Sequence, residues 1–288
     1  MVLSRLWPTQ FSASNVRFRL DLIERFLATK IGIFYIFRLG DFSLNWLIIC
    51  LLIPAVGLVL SKHPFRIWAL LGISLLITYR IVSNLPYTIN HRVFESLVIW
   101  MITIRAFARQ GNPSSVLRAR LDRETFGFLI FAFLSVYFYS GIQKLVHGYY
   151  LNGEFFALYL ALDPGEIGSI LRWTSQTIGT TAKVVDFPFH SPFHSQDYEL
   201  GPTLPFLLPF LGTSVILLEC LVPFLAWLRP KAGVYCLLCL QLLIAGASGE
   251  WDFGLTGLGI IFLLLPRSPN WKLYALLLGI HTFNAIVD

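Results

Sequence analysis

The sequence predicts an all-α fold, a polytopic bundle of about eight transmembrane helices preceded by an N-terminal interfacial or short spanning helix. Three observations lead there. Of the 288 residues, 56% are hydrophobic and 13% are charged, against about 25% charged in an ordinary soluble domain. Mean hydropathy is +0.69. The apolar residues form continuous runs of near-membrane length rather than alternating patterns, which excludes a spanning barrel. The same figures exclude a soluble globular domain and a disordered chain.

The first segment, residues 1–42, is basic. Arg5, Arg17, Arg19 and Arg25 mix with Asp21, Glu24 and apolar residues, with no clean apolar core of a signal peptide. Phe26 to Phe37 is apolar but interrupted by Lys30, which is short for a crossing and suits an interfacial helix. The transmembrane domain then covers residues 43–287. Its expected spans are Ser43–Leu60, Phe65–Val82, His91–Ala108, Phe126–Val146, Leu207–Leu228, Gly233–Ala247, Phe253–Pro266 and Trp271–Val287.

Basic residues fix the orientation. Arg105, Arg109, Arg118, Arg120 and Arg123 follow the third span and mark the cytoplasmic side. Alternation puts Lys62/Arg66, Arg229/Lys231 and Arg267/Lys272 on that side too. This sorting accounts for the net charge of +6 and the pI near 9.2 without a nucleic-acid partner. The expected surroundings are a lipid bilayer, with the chain a multi-pass protein of the cell membrane. One conflict remains: eight spans leave the basic N-terminus outside, and a ninth, short crossing over residues 26–42 would remove it.

The non-cytoplasmic section from His147 to about Pro205 is expected to hold a surface or re-entrant helix over Glu166–Val185. Its small repeat, Pro188-Phe-His-Ser and Pro192-Phe-His-Ser, sets His190 and His194 four apart. Two prolines disfavour the helix that metal ligation would need, and no metal is expected. Cys50, Cys220, Cys236 and Cys239 all lie in apolar runs and read as packing residues.

Ionisable groups inside spans are expensive and mark function by default. Lys144 lies near the outer end of the fourth span. Tyr137, Gly141 and Lys144 are spaced four and three apart and share a helix face. Ser140 lies four residues before the lysine. Apolar surroundings favour the neutral amine, which can act as a base; the same side chain can instead snorkel to the interface. His91 opens the third span with Glu95 four residues on, a pair able to meet on one face. Glu219 sits mid-span, as a partner for a buried cation or as a working carboxylate. Gln241, in the sixth span, can hydrogen-bond a carbonyl or merely a neighbouring helix. Glu250 and Asp252 form a turn on the outer side, either solvated or the rim of a site. The topology gathers His91, Lys144 and this turn near one membrane face.

These residues carry a resemblance. Asn90-His91 at a helix start, the run Tyr137-Phe-Tyr-Ser-Gly-Ile-Gln-Lys-Leu145, the later Gly153 and the Glu219-Cys-Leu-Val-Pro-Phe-Leu segment resemble the vitamin K-dependent γ-carboxylase-like family, the horizontally transferred transmembrane domain (HTTM) group. The resemblance runs from about Leu44 to Pro266. A quinone-linked family with a similar Gly-x-x-Lys signature (DoxX-like) is its rival. The resemblance implies carboxylase-like lyase or oxygenase chemistry on a quinol. In it Lys144 would be the base, His91 its electrostatic partner, and Tyr137, Gly141, Glu219 and Gln241 would line the quinone or hydroquinone site. The chain departs from the pattern at Leu240-Gln241, where the family has Phe-His, and is expected to lack the large outer domain that selects protein substrates. The alternatives are a non-catalytic quinone-binding subunit with a membrane partner, and a small-molecule transporter.

Overall fold

The structure, a computed structural model, describes residues 11–38, 42–61, 63–83, 90–111, 114–162, 182–184, 198–248, 251–265 and 271–287. Among the described residues it is all-helical apart from one short two-stranded ribbon. The helices are α1 (Ala13–Arg38), α2 (Phe42–Leu60), α3 (Arg66–Ser83), α4 (Asn90–Gln110), α5 (Ser115–His147), α6 (Glu154–Leu162), α7 (Leu204–Leu228), α8 (Pro230–Ser248), α9 (Trp251–Leu264) and α10 (Trp271–Val287). Strands β1 (Ala182–Val184) and β2 (Tyr198–Leu200) pair antiparallel, with Lys183 opposite Glu199.

Each of the eight apolar runs coincides with a helix. Two of these, Ser115–His147 and Leu204–Leu228, are long and apolar enough to cross a membrane, which supports a membrane protein. Shorter apolar stretches lie at Cys50–Leu60, Arg66–Tyr79, Lys231–Leu242 and Gly254–Leu264. Along α7 large apolar side chains stay uncovered, among them Phe206, Phe210, Leu221 and Phe224, as expected of a helix whose outer face meets lipid rather than water.

The loop expected after the third span is mostly helix. Arg118, Arg120 and Arg123 lie on the first turns of α5, which starts at Ser115. Ser114 caps that start, its hydroxyl accepting from the Leu117 amide at 3.3 Å. The stretch continues as helix because nothing between Ser115 and Phe126 breaks it and Asp122 finds partners on α4. The strand at Ala182–Val184 replaces the end of the helix expected over Glu166–Val185; residues 163–181 and the His190/His194 repeat lie outside the described residues.

Two compact units form. One comprises residues 1–133 and 255–288, the other residues 134–254.

In the first unit α1 is the central helix. Val16, Leu20, Ile23, Phe26, Leu27, Ala28 and Ile31 are buried, and so are Arg19, Glu24 and Lys30. A helix resting on a bilayer surface would keep one polar face in water; α1 instead meets α2, α3, α4 and α10. Its contacts give its direction. Arg19 donates to the carbonyl oxygens of Leu263, in the last turn of α9, and Leu265, just past its end. Phe26 lies where a Cβ on Gly259 would touch it, and its ring meets Tyr274 at 5.2 Å. Lys30 pairs with Glu95 in the second turn of α4, and its carbonyl meets His281 Nε2 at 3.2 Å. α1 therefore runs antiparallel to α4 and α9 and parallel to α10.

Six charges gather at one end of this unit. Arg105, 1% exposed, donates to Asp122 at 2.8 Å and Asp21 at 3.0 Å, and lies 3.5 Å from Glu24. Arg109 adds contacts to Asp122 at 3.0 and 3.2 Å, and Arg66 lies 3.9 Å from Glu24. Arg109, beyond the apolar stretch of α4, is held below the ordinary arginine value by burial and by the neighbouring Arg105. Arg105 is thus a buried hub joining α1, α4 and α5, not a solvated marker of a turn.

In the second unit α7 and α8 form a hairpin. A Cβ on Gly233 would collide with the backbone of Ala226, so the two helices pack at backbone contact there. α6 packs Ala157 and Leu160 onto Leu204 and Leu208 of α7. Thr203 and a proline in the first turn begin α7, where the missing proline N–H leaves no bond unmade.

Candidate functional site

The second unit holds Lys144, Glu219, Tyr137, Gly141 and Gln241. Lys144 lies in the last turn of α5. Its ammonium donates to Glu219 Oε1 on α7 and to Ser140 Oγ at 3.1 Å. The Tyr150 ring centroid is 5.0 Å from Nζ, a cation–π distance.

Local backbone chemistry makes this arrangement. Gly148 ends α5 in the left-handed region at φ +78°, and its amide donates to the Lys144 carbonyl at 3.2 Å, the glycine termination of a helix. The chain folds back through Tyr149–Asn152 to Gly153, again at φ +78°. There a Cβ would meet Pro209 Cδ and N at 2.8 Å. Gly212 faces the Tyr150 carbonyl so closely that any side chain there would displace it. These glycines let the turn lie against α7 and set Tyr150 over the lysine. Tyr150 in turn stacks on Phe155 at 4.2 Å.

Gly141 serves the same closeness one turn earlier. A Cβ there would meet Cys220 Sγ at 2.6 Å and Glu219 Cβ at 3.2 Å. The helices α5 and α7 approach at this point because position 141 has no side chain, and that approach brings Glu219 within reach of Lys144.

Glu219 is 2% exposed; its Oε1 is taken by Lys144, while its Oε2 is buried with no hydrogen-bond partner among the described residues. Gln241 on α8 is fully buried, and neither its Oε1 nor its Nε2 has a partner among the described residues. From the Gly233–Ala226 contact the antiparallel hairpin sets Gln241 level with Leu218 and Glu219. The second unit therefore holds a paired ammonium, a buried carboxylate oxygen and, at the same level of the hairpin, a buried amide, the last two without partners among the described residues. Leaving one such buried group unmatched costs about 1–3 kcal/mol.

The chain matches no family model, no curated protein and no solved structure.

Of the residues singled out from sequence, the second unit brings together Lys144, Glu219 and Gly141. Tyr137 is buried on α5, seven residues before the lysine. His91 lies in the first turn of α4, in the first unit, and its side chain is outside the described residues. Its expected partner Glu95 accepts at Oε1 from Lys30 and, at 2.6 Å, from Thr256 Oγ1. Glu250 lies outside the described residues, as does the Asp252 side chain. Tyr150 was not legible as a site residue. Its signal was the pair Gly148 and Gly153 bracketing a short aromatic run.

No group of three or more His, Cys, Asp or Glu suited to a metal occurs among the described residues.

Proposed function

We propose that the chain is a multi-pass protein of the cell membrane that binds a lipid-like, quinol-type molecule at the level of Lys144, Glu219 and Gln241 and acts on it by proton transfer. The observation that carries this reading is the unmatched Glu219 Oε2 of the Lys144–Glu219 pair, with the unmatched Gln241 amide at the same level of the hairpin. Buried polar groups are normally hydrogen-bonded, and a carboxylate oxygen and an amide left open at one level of a helix hairpin are complementary to a ligand with hydroxyl or carbonyl groups. Tyr150, whose ring faces the lysine, and Phe155 stacked on it suit a flat apolar body. The resemblance to the γ-carboxylase-like family points to the same class of ligand, with Lys144, His91 and Gln241 in its site.

The direction of α1 supports nine crossings. It sets residues 19–24 beside the basic end of α4 and Lys30 toward the opposite end, which supports a reading with the basic N-terminus on the same side as the other basic turns.

The test is to purify the full chain in detergent, extract it and identify co-purifying lipids by mass spectrometry. A quinone or quinol at near-stoichiometric amount, lost in Gln241→Leu, is the expected result. Phospholipid alone, together with no binding of added hydroquinone, sinks the proposal. A stably co-purifying redox partner, with Lys144→Ala altering assembly but not turnover, would favour the non-catalytic subunit instead.

A further inference from the structure

We infer that Glu219, through its open Oε2, is the proton acceptor of this site, and that Lys144 works as a fixed ammonium that receives the resulting oxyanion; the ligand is a weakly acidic, hydroxyl-bearing aromatic lipid. This rests on the reading of a lipid-like ligand just given and assigns the roles within it. A lysine acts as a base only through a nitrogen lone pair. Lys144 Nζ donates to Glu219 Oε1 and Ser140 Oγ and lies over the Tyr150 ring. In all three contacts the amine is placed as an N–H donor or a cation, not through a lone pair. The lone pair on offer belongs to the carboxylate: Oε2 is buried and without a partner among the described residues.

The step balances without a further reactant. The ligand O–H bond breaks, its proton forms a bond to Glu219 Oε2, and the electron pair stays on the ligand oxygen. As the carboxylate becomes a neutral acid, Lys144 exchanges one anion for another, so the net charge of the buried site stays constant. That matters where dielectric is low, because creating a lone charge there is far more costly than moving one. Gln241, with donor and acceptor both open, is a positioning residue able to hold a second oxygen of the ligand. The class of ligand follows from the same chemistry. An aliphatic alcohol is too weak an acid to yield its proton to a carboxylate, whereas a phenol's oxyanion is delocalised and can be stabilised by one ammonium.

The experiment uses the full chain in detergent, with carboxyl-13C glutamate incorporated, and a long-chain 4-nitrophenol as probe. The probe's visible absorbance separates phenol from phenolate, and infrared difference spectra report carboxyl protonation. The probe is added below its own ionisation range. The expected result is a phenolate band on binding, with a protonated-carboxyl band that shifts with the label. In Glu219→Gln the carboxyl band is lost. In Lys144→Met/Glu219→Gln, which removes both charges together, the probe binds as the phenol. Phenolate formed in wild type with no labelled carboxyl band overturns the assignment of Glu219 and leaves the lipid site standing. No binding of the probe to wild type overturns the lipid-site reading itself. The label shows in the wild-type chain that a glutamate takes the proton, and probe binding retained by the charge-neutral double variant shows that a band lost on substitution is not lost through unfolding.

Discussion

Lys30 of α1 and Glu95 of α4 form an ion pair with both side chains 2% exposed, and Thr256 of α9 donates to the same carboxylate oxygen at 2.6 Å. His281 of α10 meets the Lys30 carbonyl; since a carbonyl only accepts, its Nε2 carries the proton. Four helices of one unit thus meet at one polar node inside an apolar bundle.

A charge left alone in such a place is far worse than a charge pair. Lys30→Met or Glu95→Gln alone should destabilise the first unit by about 3–5 kcal/mol. The double variant Lys30→Met/Glu95→Gln removes both charges and should recover most of that loss. Thermal or SDS unfolding midpoints of the four proteins in one detergent give the double-mutant cycle. A double variant as unstable as the sum of the singles would mean that packing, not charge compensation, dominates at the node.

The end of the unit rich in arginine gives a second prediction. Arg105 touches Asp122, Asp21 and Glu24 through different nitrogens of one planar guanidinium. Arg105→Lys keeps the charge but replaces that fork by a single ammonium, so it should destabilise nearly as much as Arg105→Met, by about 3 kcal/mol or more. If Arg105→Lys unfolds like wild type, charge alone sustains the hub and the guanidinium geometry is not needed.

The positions of eight helices were legible because a long apolar run has few other solutions in lipid or in a bundle. Their polar partners were not. Lys30 read as a flaw in a short apolar stretch, and Arg105 as one of five arginines in a turn; in the structure both are buried because acids more than sixty residues or a helix away cover them. One-dimensional patterns carry no register between helices, and register decides which charges meet. The candidate site was half legible for the same reason. Lys144 and Glu219 stood out as ionisable groups in apolar runs, and Gly141 as a small residue on the lysine's face. That Gly141 makes room for Glu219 itself, and that Tyr150 covers the lysine, depended on the fold-back at Gly148 and Gly153.

Gly141 therefore supports a test by crowding and relief. Gly141→Ala drives a methyl against Cys220 Sγ, at 2.6 Å before any shift, and should part α5 from α7. The expected loss is about 1–3 kcal/mol, together with weakened ligand binding as Glu219 moves from Lys144. Adding Cys220→Ala removes the sulfur and leaves Glu219 Cβ at 3.2 Å, a gap that a few tenths of an ångström would relieve. Gly141→Ala/Cys220→Ala should regain most of the stability and binding. If the double variant stays as poor as Gly141→Ala, the helix contact is limited by the α7 backbone rather than by the sulfur.

The course of α1 makes a prediction about sidedness. Arg19 reaches carbonyls at the C-terminal end of α9, and Asp21 and Glu24 reach Arg105, all at the end of the unit that carries the basic residues. Eleven residues on from Arg19, Lys30 meets Glu95 in the second turn of α4, so α1 advances about 16 Å along its axis between the two nodes. If the basic end is cytoplasmic, the exposed residues at the start of α1 are cytoplasmic as well. Ser14→Cys, in a background with the four native cysteines replaced, should react with a membrane-impermeant maleimide only after the inner face is opened. Ready labelling of intact cells would put the N-terminus outside, return the basic cluster to conflict with the other turns, and require α1 to pack against α4 and α9 without crossing the bilayer.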